Sequence, residues 1–355
     1  MQSLVLVANC QLDVLEVERP VIGEDECLIK VAAVGICSSD LSRIFENGAY
    51  HHPLVLGHEF SGVVVEVGSA VPSGINGQPV SVFPLLPCKA CAQCLETDYV
   101  KCSAYKYYGS RNDGGLSQFV AVKHWNLLPL DKSIPLSDAA LVEPMAVAIH
   151  AIGKAESHLG KIGNDLRVAI LGAGFIGLVA AEILRRQFPT VQIAVFDRNI
   201  SKLELAAGLK VDTVHVATDA DWEHALKTSP GFDCVFEMTG SPKSLEASIG
   251  LANTNASLVL VGNPSGDYGV SQSAISALLR KELKVLGSWN SSFKPAAAQD
   301  DWIEAERLLA SGFRPTRYVS HTIPLEGVAN HLSKVQGHKI SEISFPTLKT
   351  LVLLD

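Results

Sequence analysis

A chain of 355 residues is longer than one hydrophobic core ordinarily supports, so two domains are expected. Hydrophobic residues make up 47% and charged residues 19%, which excludes a disordered protein, and a net charge of -8 with no basic stripe excludes nucleic-acid binding. Mean hydropathy is +0.22, yet no uninterrupted apolar run reaches membrane-spanning length.

The opening segment MQSLVLVANCQLDVLEVERP reads as two strands joined by a polar turn. It lacks a basic stretch followed by an apolar block and a small-residue cleavage site, so a cytoplasmic location is expected. ECLIKVAAVGIC (26–37), SGVVVEVG (61–68) and PVSVFPLL (79–86) are short runs rich in β-branched residues and cut by Gly and Pro. Helical periodicity is largely missing up to about residue 150. That pattern predicts a small β-barrel-like domain with ligand-type side chains on its loops.

Four of the eight cysteines fall in one stretch, Cys88-x2-Cys91-x2-Cys94-x7-Cys102. Thiolates at that spacing can close a tetrahedron around one ion, and four sulfurs with no open position describe a structural zinc site. A disulfide framework suits small secreted scaffolds better than a long chain without an export signal. Cys10, Cys27 and Cys234 sit among apolar neighbours and are expected to be packing residues. A sparser set surrounds the cluster: Cys37 in GICSSD, His58 and Glu59 in LGHEFSG, and Glu143 in LVEPMAV. A catalytic zinc keeps three protein ligands and an open position, and these residue types suit it. Their spacing does not show that they converge. Taken singly, His58 could be a satisfied core histidine and Glu143 a helix-start carboxylate.

Near residue 167 the texture changes. RVAILGAGFIGLVAAEILRR reads as an apolar strand, a glycine turn and a helix, and VQIAVFD, FDCVFEMTG, SLVLVGNP and LKVLGSW recur as buried strands between helical stretches. Alternating β and α predicts a parallel, doubly wound sheet. In Gly172-Ala173-Gly174-Phe175-Ile176-Gly177 the first glycine allows the tight turn, the second admits a pyrophosphate, and the third lets helix and strand pack closely. Asp197, twenty residues beyond Gly177, can accept hydrogen bonds from a ribose 2′-OH and would repel a 2′-phosphate, which favours NAD over NADP. The neighbouring Arg198 could accept that phosphate. After Trp289 come a polar patch (NSSFKPAAAQDD), a helix (IEAERLLASG) and a strand-like tail expected to rejoin the first domain.

VGICSSD, LGHEFSGVVVEVG, CKACAQCLETDYVKC, LVEPMAV and LGAGFIGL, in that order, resemble the zinc-containing medium-chain dehydrogenase/reductase family over nearly the whole chain. The resemblance implies an α/β fold: a GroES-like β-barrel catalytic domain from both ends of the chain (1–150 and 290–355), and a Rossmann NAD-binding domain at 151–289. It implies two zincs. Cys37, His58 and either Glu59 or Glu143 would hold the catalytic ion, and Cys88, Cys91, Cys94 and Cys102 the structural one, in a lobe at about 84–106. It also implies Ser39 as a proton-relay hydroxyl, and a homodimer or homotetramer assembled through edge strands of the Rossmann sheet.

The glutamate after the GH pair and the EP dipeptide resemble the family's polyol branch, which acts on small polyols or polyol phosphates. LSRIFENGAYHHPLVLGHEFSG, PLLPC, YYGSRNDGGLSQFV and LLRKELKVLGSW are similar to its phosphorylated-substrate members. A phosphate needs a cation, and of Arg43, Arg111 and Lys281 the favoured one is Arg111. Three features depart from the family pattern: Ser42 where many relatives carry a histidine, the turn NGQ before PVSVFP, and a tail, GHKISEISFPTLKTLVLLD, without the usual Gly-Lys ending. The alternatives are a zinc dehydrogenase of an unphosphorylated polyol, a sugar acid or a simple alcohol, and a non-catalytic zinc-binding scaffold. Retention of Cys37, His58 and Glu143 argues against the scaffold.

Overall fold

A computed structural model describes residues 1–354 apart from 161, 164, 265–266, 296 and 342–347. The chain forms two compact units, Met1–Ala146 with Ser291–Asp355, and Val147–Asn290.

The first unit is built on β-strands. Gln2–Ala8 (β1) and Gln11–Glu16 (β2) form an antiparallel hairpin, and Leu54–Val55 pairs with the other edge of β1. Cys10 sits in the hairpin turn at φ +62 and is exposed, which corrects its expected packing role; a turn position that needs a left-handed backbone puts the thiol outside. Cys27 and Cys234 are buried.

The main sheet centres on Glu26–Ile36 (β3), which pairs antiparallel with Glu59–Val67 (β4) and Phe119–Lys123 (β5). Pro79–Val82 and Leu127–Pro129 extend the β4 side, and the strands His321–Pro324 and Thr350–Leu353 close the β3 side. The tail thus rejoins this unit through the pairing Val352↔Val34. The stretch of the tail at 342–347, and residue 296 in the polar patch, lie outside the described residues. Leu4, Leu6, Ile29, Phe60, Val64 and Val80 belong to one buried cluster, where each side chain contributes about 1.5–3 kcal/mol.

The second unit is a six-stranded parallel sheet: Arg167–Leu171 (β6), Gln192–Asp197 (β7), Asp212–His215 (β8), Phe232–Glu237 (β9), Ala252–Leu260 (β10) and Lys284–Gly287 (β11). The spatial order is β8-β7-β6-β9-β10-β11, a doubly wound sheet whose order reverses between β6 and β9. Phe196 stacks on Trp222 at 6.1 Å and meets Phe232 edge-on at 5.9 Å, filling one face of the sheet. Strand β8 was not visible in the sequence because its residues DTVH are polar and mostly exposed at the sheet edge. Among the described residues no helix is long and apolar enough to cross a membrane.

Candidate active site and metal centres

The end of β3 and the start of β4 bring three ligand-type side chains together. One ligand atom from each of Cys37, His58 and Glu59 lies within 4.8 Å of the others. Cys37 follows β3 and precedes the helix Ser38–Phe45. Its N–H donates to Asp40 Oδ2 at 3.0 Å, so the third residue of the helix fixes the direction in which Cys37 leaves the strand. The other Asp40 oxygen lies 3.4 Å from His58 Nδ1 and 3.3 Å from Arg43 Nη1. Burial opposes the Asp40 carboxylate, but His58 and Arg43 outweigh it and hold the carboxyl below its usual range. Burial likewise opposes a charged His58, and Asp40 with Cys37 raises that imidazole well above its ordinary value.

Gly57 precedes His58 at φ +91, where a Cβ would stand 2.8 Å from Val34 Cγ1, so only glycine lets the chain enter β4 here. Gly35, opposite Glu59 in the sheet, leaves room for the carboxylate: a Cβ there would lie 2.1 Å from Glu59 Oε2.

Lys349 is part of this site and was not singled out from the sequence. Its buried ammonium donates to both Glu59 oxygens at 2.7 Å and to the Ile36 carbonyl at 3.2 Å. Burial disfavours that charge, but Glu59, Cys37 and Glu143 outweigh it and raise the pKa above the ordinary lysine value. Glu143, in the first turn of the helix Val142–Leu159, is also buried but stands outside the 4.8 Å group. Tyr107 Oη donates to its Oε1 at 3.4 Å. Burial, reinforced by Glu59, pushes the Glu143 carboxyl up to about 7 against the opposing pull of His58 and Lys349. A half-buried sulfur with a buried imidazole and a buried carboxylate, and Asp40 Oδ1 facing the imidazole Nδ1, fit a zinc ion with an open position.

The second cluster is chemically simpler. Sulfurs of Cys88, Cys91, Cys94 and Cys102 lie within 4.8 Å of one another, with Cys88 Sγ 3.9 Å from Cys94 Sγ. Four sulfurs each about 2.3 Å from one zinc stand about 3.8 Å apart, so the set fits a closed tetrahedral ion. The Cys88 N–H points at Cys102 Sγ (3.2 Å) and the Cys91 N–H at Cys88 Sγ (3.4 Å). Backbone N–H groups of Cys94 and Ser103 lower the Cys91 thiol to about 6, while burial pushes Cys94 up to about 12.

In the second unit, Gly172 follows β6 at φ +110, and the helix Phe175–Gln187 begins after Gly174. A Cβ on Gly177 would lie 2.0 Å from the Gly172 carbonyl oxygen, whereas one on Gly174 would meet nothing within 4 Å. That open space at a helix N-terminus suits a pyrophosphate. Phe175 and Ile176 open the helix. Asp197 ends β7; its Oδ2 accepts the Ala173 N–H at 2.7 Å and its Oδ1 the Asn199 N–H at 2.8 Å, tying the ribose-type carboxylate to the glycine loop. Arg198 beside it is exposed.

The three cations proposed for a phosphate differ sharply. Lys281 donates to the carbonyls of Ile249, Gly250 and Ala252 and thereby caps the helix Pro242–Leu251. Arg43 faces Asp40 and the Ser39 carbonyl. Arg111 lies between two rings, 4.3 Å from the centroid of Tyr50 and 4.2 Å from that of Tyr105, and donates to Tyr50 Oη at 3.0 Å. Ring contacts continue from Tyr105 to Tyr107 (6.3 Å) and from Tyr107 to His58 (5.8 Å), so a line of aromatic side chains joins Arg111 to the metal-type cluster.

Comparison with known proteins agrees with this geometry. Residues 23–132 match the family model of the alcohol dehydrogenase GroES-like domain, and residues 176–311 that of the zinc-binding dehydrogenase. The galactitol 1-phosphate 5-dehydrogenase of Escherichia coli (strain K12) is 35% identical over 81% of this chain and 82% of its own length. The L-galactonate-5-dehydrogenase of the same strain is 31% identical over 83% of each. The crystal structure of galactitol-1-phosphate dehydrogenase from Escherichia coli superposes with a TM-score of 0.89 at 33% identity, covering 100% of both chains. Fold and relatives define a zinc-binding, dinucleotide-dependent oxidoreductase of CH–OH groups. The chain belongs to the zinc-containing medium-chain dehydrogenase/reductase family, in its polyol dehydrogenase branch.

Proposed function

We propose that this enzyme oxidises a secondary hydroxyl of a polyol phosphate of the galactitol 1-phosphate kind to the ketose, with NAD as hydride acceptor. The observation that carries the reading is the line of side chains from His58 through Tyr107 and Tyr105 to Arg111, a ring-clamped cation reached from a buried zinc-type cluster. The resemblance to a galactitol 1-phosphate 5-dehydrogenase supports it. The likeness to an L-galactonate dehydrogenase favours a second reading, in which Arg111 takes a sugar-acid carboxylate.

In this reading the segments 1–150 and 290–355 form the catalytic domain, 151–289 the NAD domain, and about 84–106 a structural-zinc lobe. Cys88, Cys91, Cys94 and Cys102 hold one zinc. Cys37, His58 and a glutamate hold the other, which supplies Lewis-acid polarisation of the substrate oxygen. Glu59 is paired with Lys349 and Glu143 with Tyr107, so each carboxylate has a partner that sets how readily it serves as third ligand. Asp197, at the end of β7, favours NAD over NADP, and Gly172, Gly174 and Gly177 give the pyrophosphate its space. The family resemblance supports a homodimer or homotetramer assembled through edge strands of the Rossmann sheet, and the clustered thiols suit a reducing cytoplasm.

The alcohol carbon gives up a hydride and its oxygen a proton. Ser39, half-buried in the first turn after Cys37, relays that proton, its Oγ accepting it while the hydroxyl's own hydrogen passes on to water. Ser42 donates to Glu46 Oε2 at 2.8 Å and accepts from Asn47, so water rather than Ser42 carries the proton outward. Ser39→Ala is expected to lower kcat by about 10²–10⁴-fold while NAD affinity stays unchanged; calorimetry beside steady-state kinetics checks this, and equal losses in both contradict the relay. Arg111→Ala is expected to raise KM for galactitol 1-phosphate by about 10- to 100-fold and to leave KM for galactitol alone. An unchanged KM for the phosphorylated substrate removes Arg111 from the site.

A further inference from the structure

We infer that Arg43 is a positioning residue for the metal of the Cys37–His58–glutamate cluster, acting through Asp40 on the His58 imidazole; the inference rests on the zinc reading above. The guanidinium of Arg43 faces inward. Its Nη1 lies 3.3 Å from Asp40 Oδ1 and 3.4 Å from the Ser39 carbonyl oxygen.

In the last turn of the helix Ser38–Phe45, a cation would ordinarily serve the free carbonyls at the helix end. Arg43 instead reaches back along the helix, the direction in which helical side chains lean, and meets the first turn. An acid and a base three residues apart on a helix surface contribute little when water surrounds them. This pair is not on the surface: the Asp40 side chain is 1% exposed and that of Arg43 16%. Among the described residues, only Arg43 and His58 bring a basic side chain within ion-pair distance of Asp40.

What remains free in Asp40 is rotation of the carboxylate about its Cβ–Cγ bond. The Cys37 N–H holds Oδ2 at 3.0 Å, and Arg43 holds Oδ1. Oδ1 faces His58 Nδ1 at 3.4 Å, and that buried nitrogen makes no hydrogen bond of ordinary geometry. When one ring nitrogen of a histidine binds a metal, the other keeps its hydrogen, and the carboxylate it meets fixes the ring and strengthens it as a ligand. Arg43 thereby governs how squarely Oδ1 meets His58. The same Nη1 touches the carbonyl of Ser39, so one guanidinium braces the backbone of the relay residue as well.

The test compares zinc-replete, full-length wild type, Arg43→Met, Arg43→Lys and Ser42→Ala by the rate at which a chromogenic chelator takes up zinc. Ser42→Ala removes a hydrogen bond of the same helix, to Glu46 Oε2, that does not reach Asp40. Arg43→Met should release the zinc of the Cys37 cluster about 10-fold faster, while the four-cysteine zinc leaves at the wild-type rate. Arg43→Lys keeps the charge but not the fork, so its release should be about 2- to 5-fold faster, and Ser42→Ala should match the wild type. Unchanged release in Arg43→Met overturns the inference. So does an equal acceleration in Ser42→Ala, which assigns the effect to helix stability, and so does faster loss from both clusters. If Arg43→Met does not fold, the lysine variant decides alone, and a wild-type rate in it overturns the inference. A wild type that yields only the four-cysteine zinc removes the zinc reading and this inference with it. That result is distinct from a wild type that releases two zincs in two phases while the variants match it.

Discussion

Cys37→Ala is expected to release the metal of the Cys37–His58–Glu59 cluster and to reduce turnover by about a thousandfold. A Lewis-acid metal is worth several kcal/mol in the transition state, and about 1.4 kcal/mol is a factor of ten. The four-cysteine cluster shares no residue with that site, so its zinc should remain and the thermal transition should shift little. Metal analysis of the variant separates the two clusters directly. Wild-type turnover in the variant, or loss of both metals together, contradicts the assignment of separate catalytic and structural roles.

The second large effect concerns stability. Lys349→Met leaves the Glu59 carboxylate buried without its ammonium. Breaking a buried pair from one side costs about 3–5 kcal/mol, which corresponds to a fall in Tm of about 10 °C. Glu59→Gln combined with Lys349→Met should recover most of that loss, because the cost lies in the unpaired charge and not in the missing contact. A Tm unchanged in Lys349→Met, or losses that simply add in the double variant, contradicts this account of the pair.

Lys349 also shows where reading a sequence stops. It stands 290 residues from Glu59, and nothing in the local pattern of either segment points to the other. The signal present was a single lysine directly before an apolar strand, TLVL, and its meaning emerges only when that strand pairs with β3. Asp40 is a gentler case. It lies in the same VGICSSD block as Cys37, and a carboxylate three residues after the residue that precedes a helix is where the helix's first turn would use one. Its second task, facing His58, depends on the β3–β4 register.

Features governed by local chemistry were legible. The opening hairpin, the strand-turn-helix at Gly172 and the alternating β and α of the second unit follow from hydrophobic period and glycine position. Tight cysteine spacing made the four-sulfur group visible, whereas Cys37, His58 and Glu59 converge only through pairing of β3 with β4. The helices Ser38–Phe45 and Val328–Ser341 were not read from the sequence, the second correcting the strand-like reading of the tail, and two further elements escaped for opposite reasons. The edge strand β8 is too polar to read as a strand, and Val142–Leu159 is so apolar that its helical start gave no amphipathic signal. Cys10 was misplaced because apolar neighbours in sequence said nothing of a left-handed turn.

The most direct measurement is NADH formation by zinc-replete enzyme on galactitol 1-phosphate, galactitol, sorbitol, L-threonine and a simple secondary alcohol, repeated after removal of zinc by a chelator. The predicted result is turnover on the phosphorylated polyol well above the rest, abolished by chelation and restored by zinc. Turnover that survives complete zinc removal, or none on any of the five substrates by protein that holds both zincs and binds NAD, would contradict the proposed chemistry.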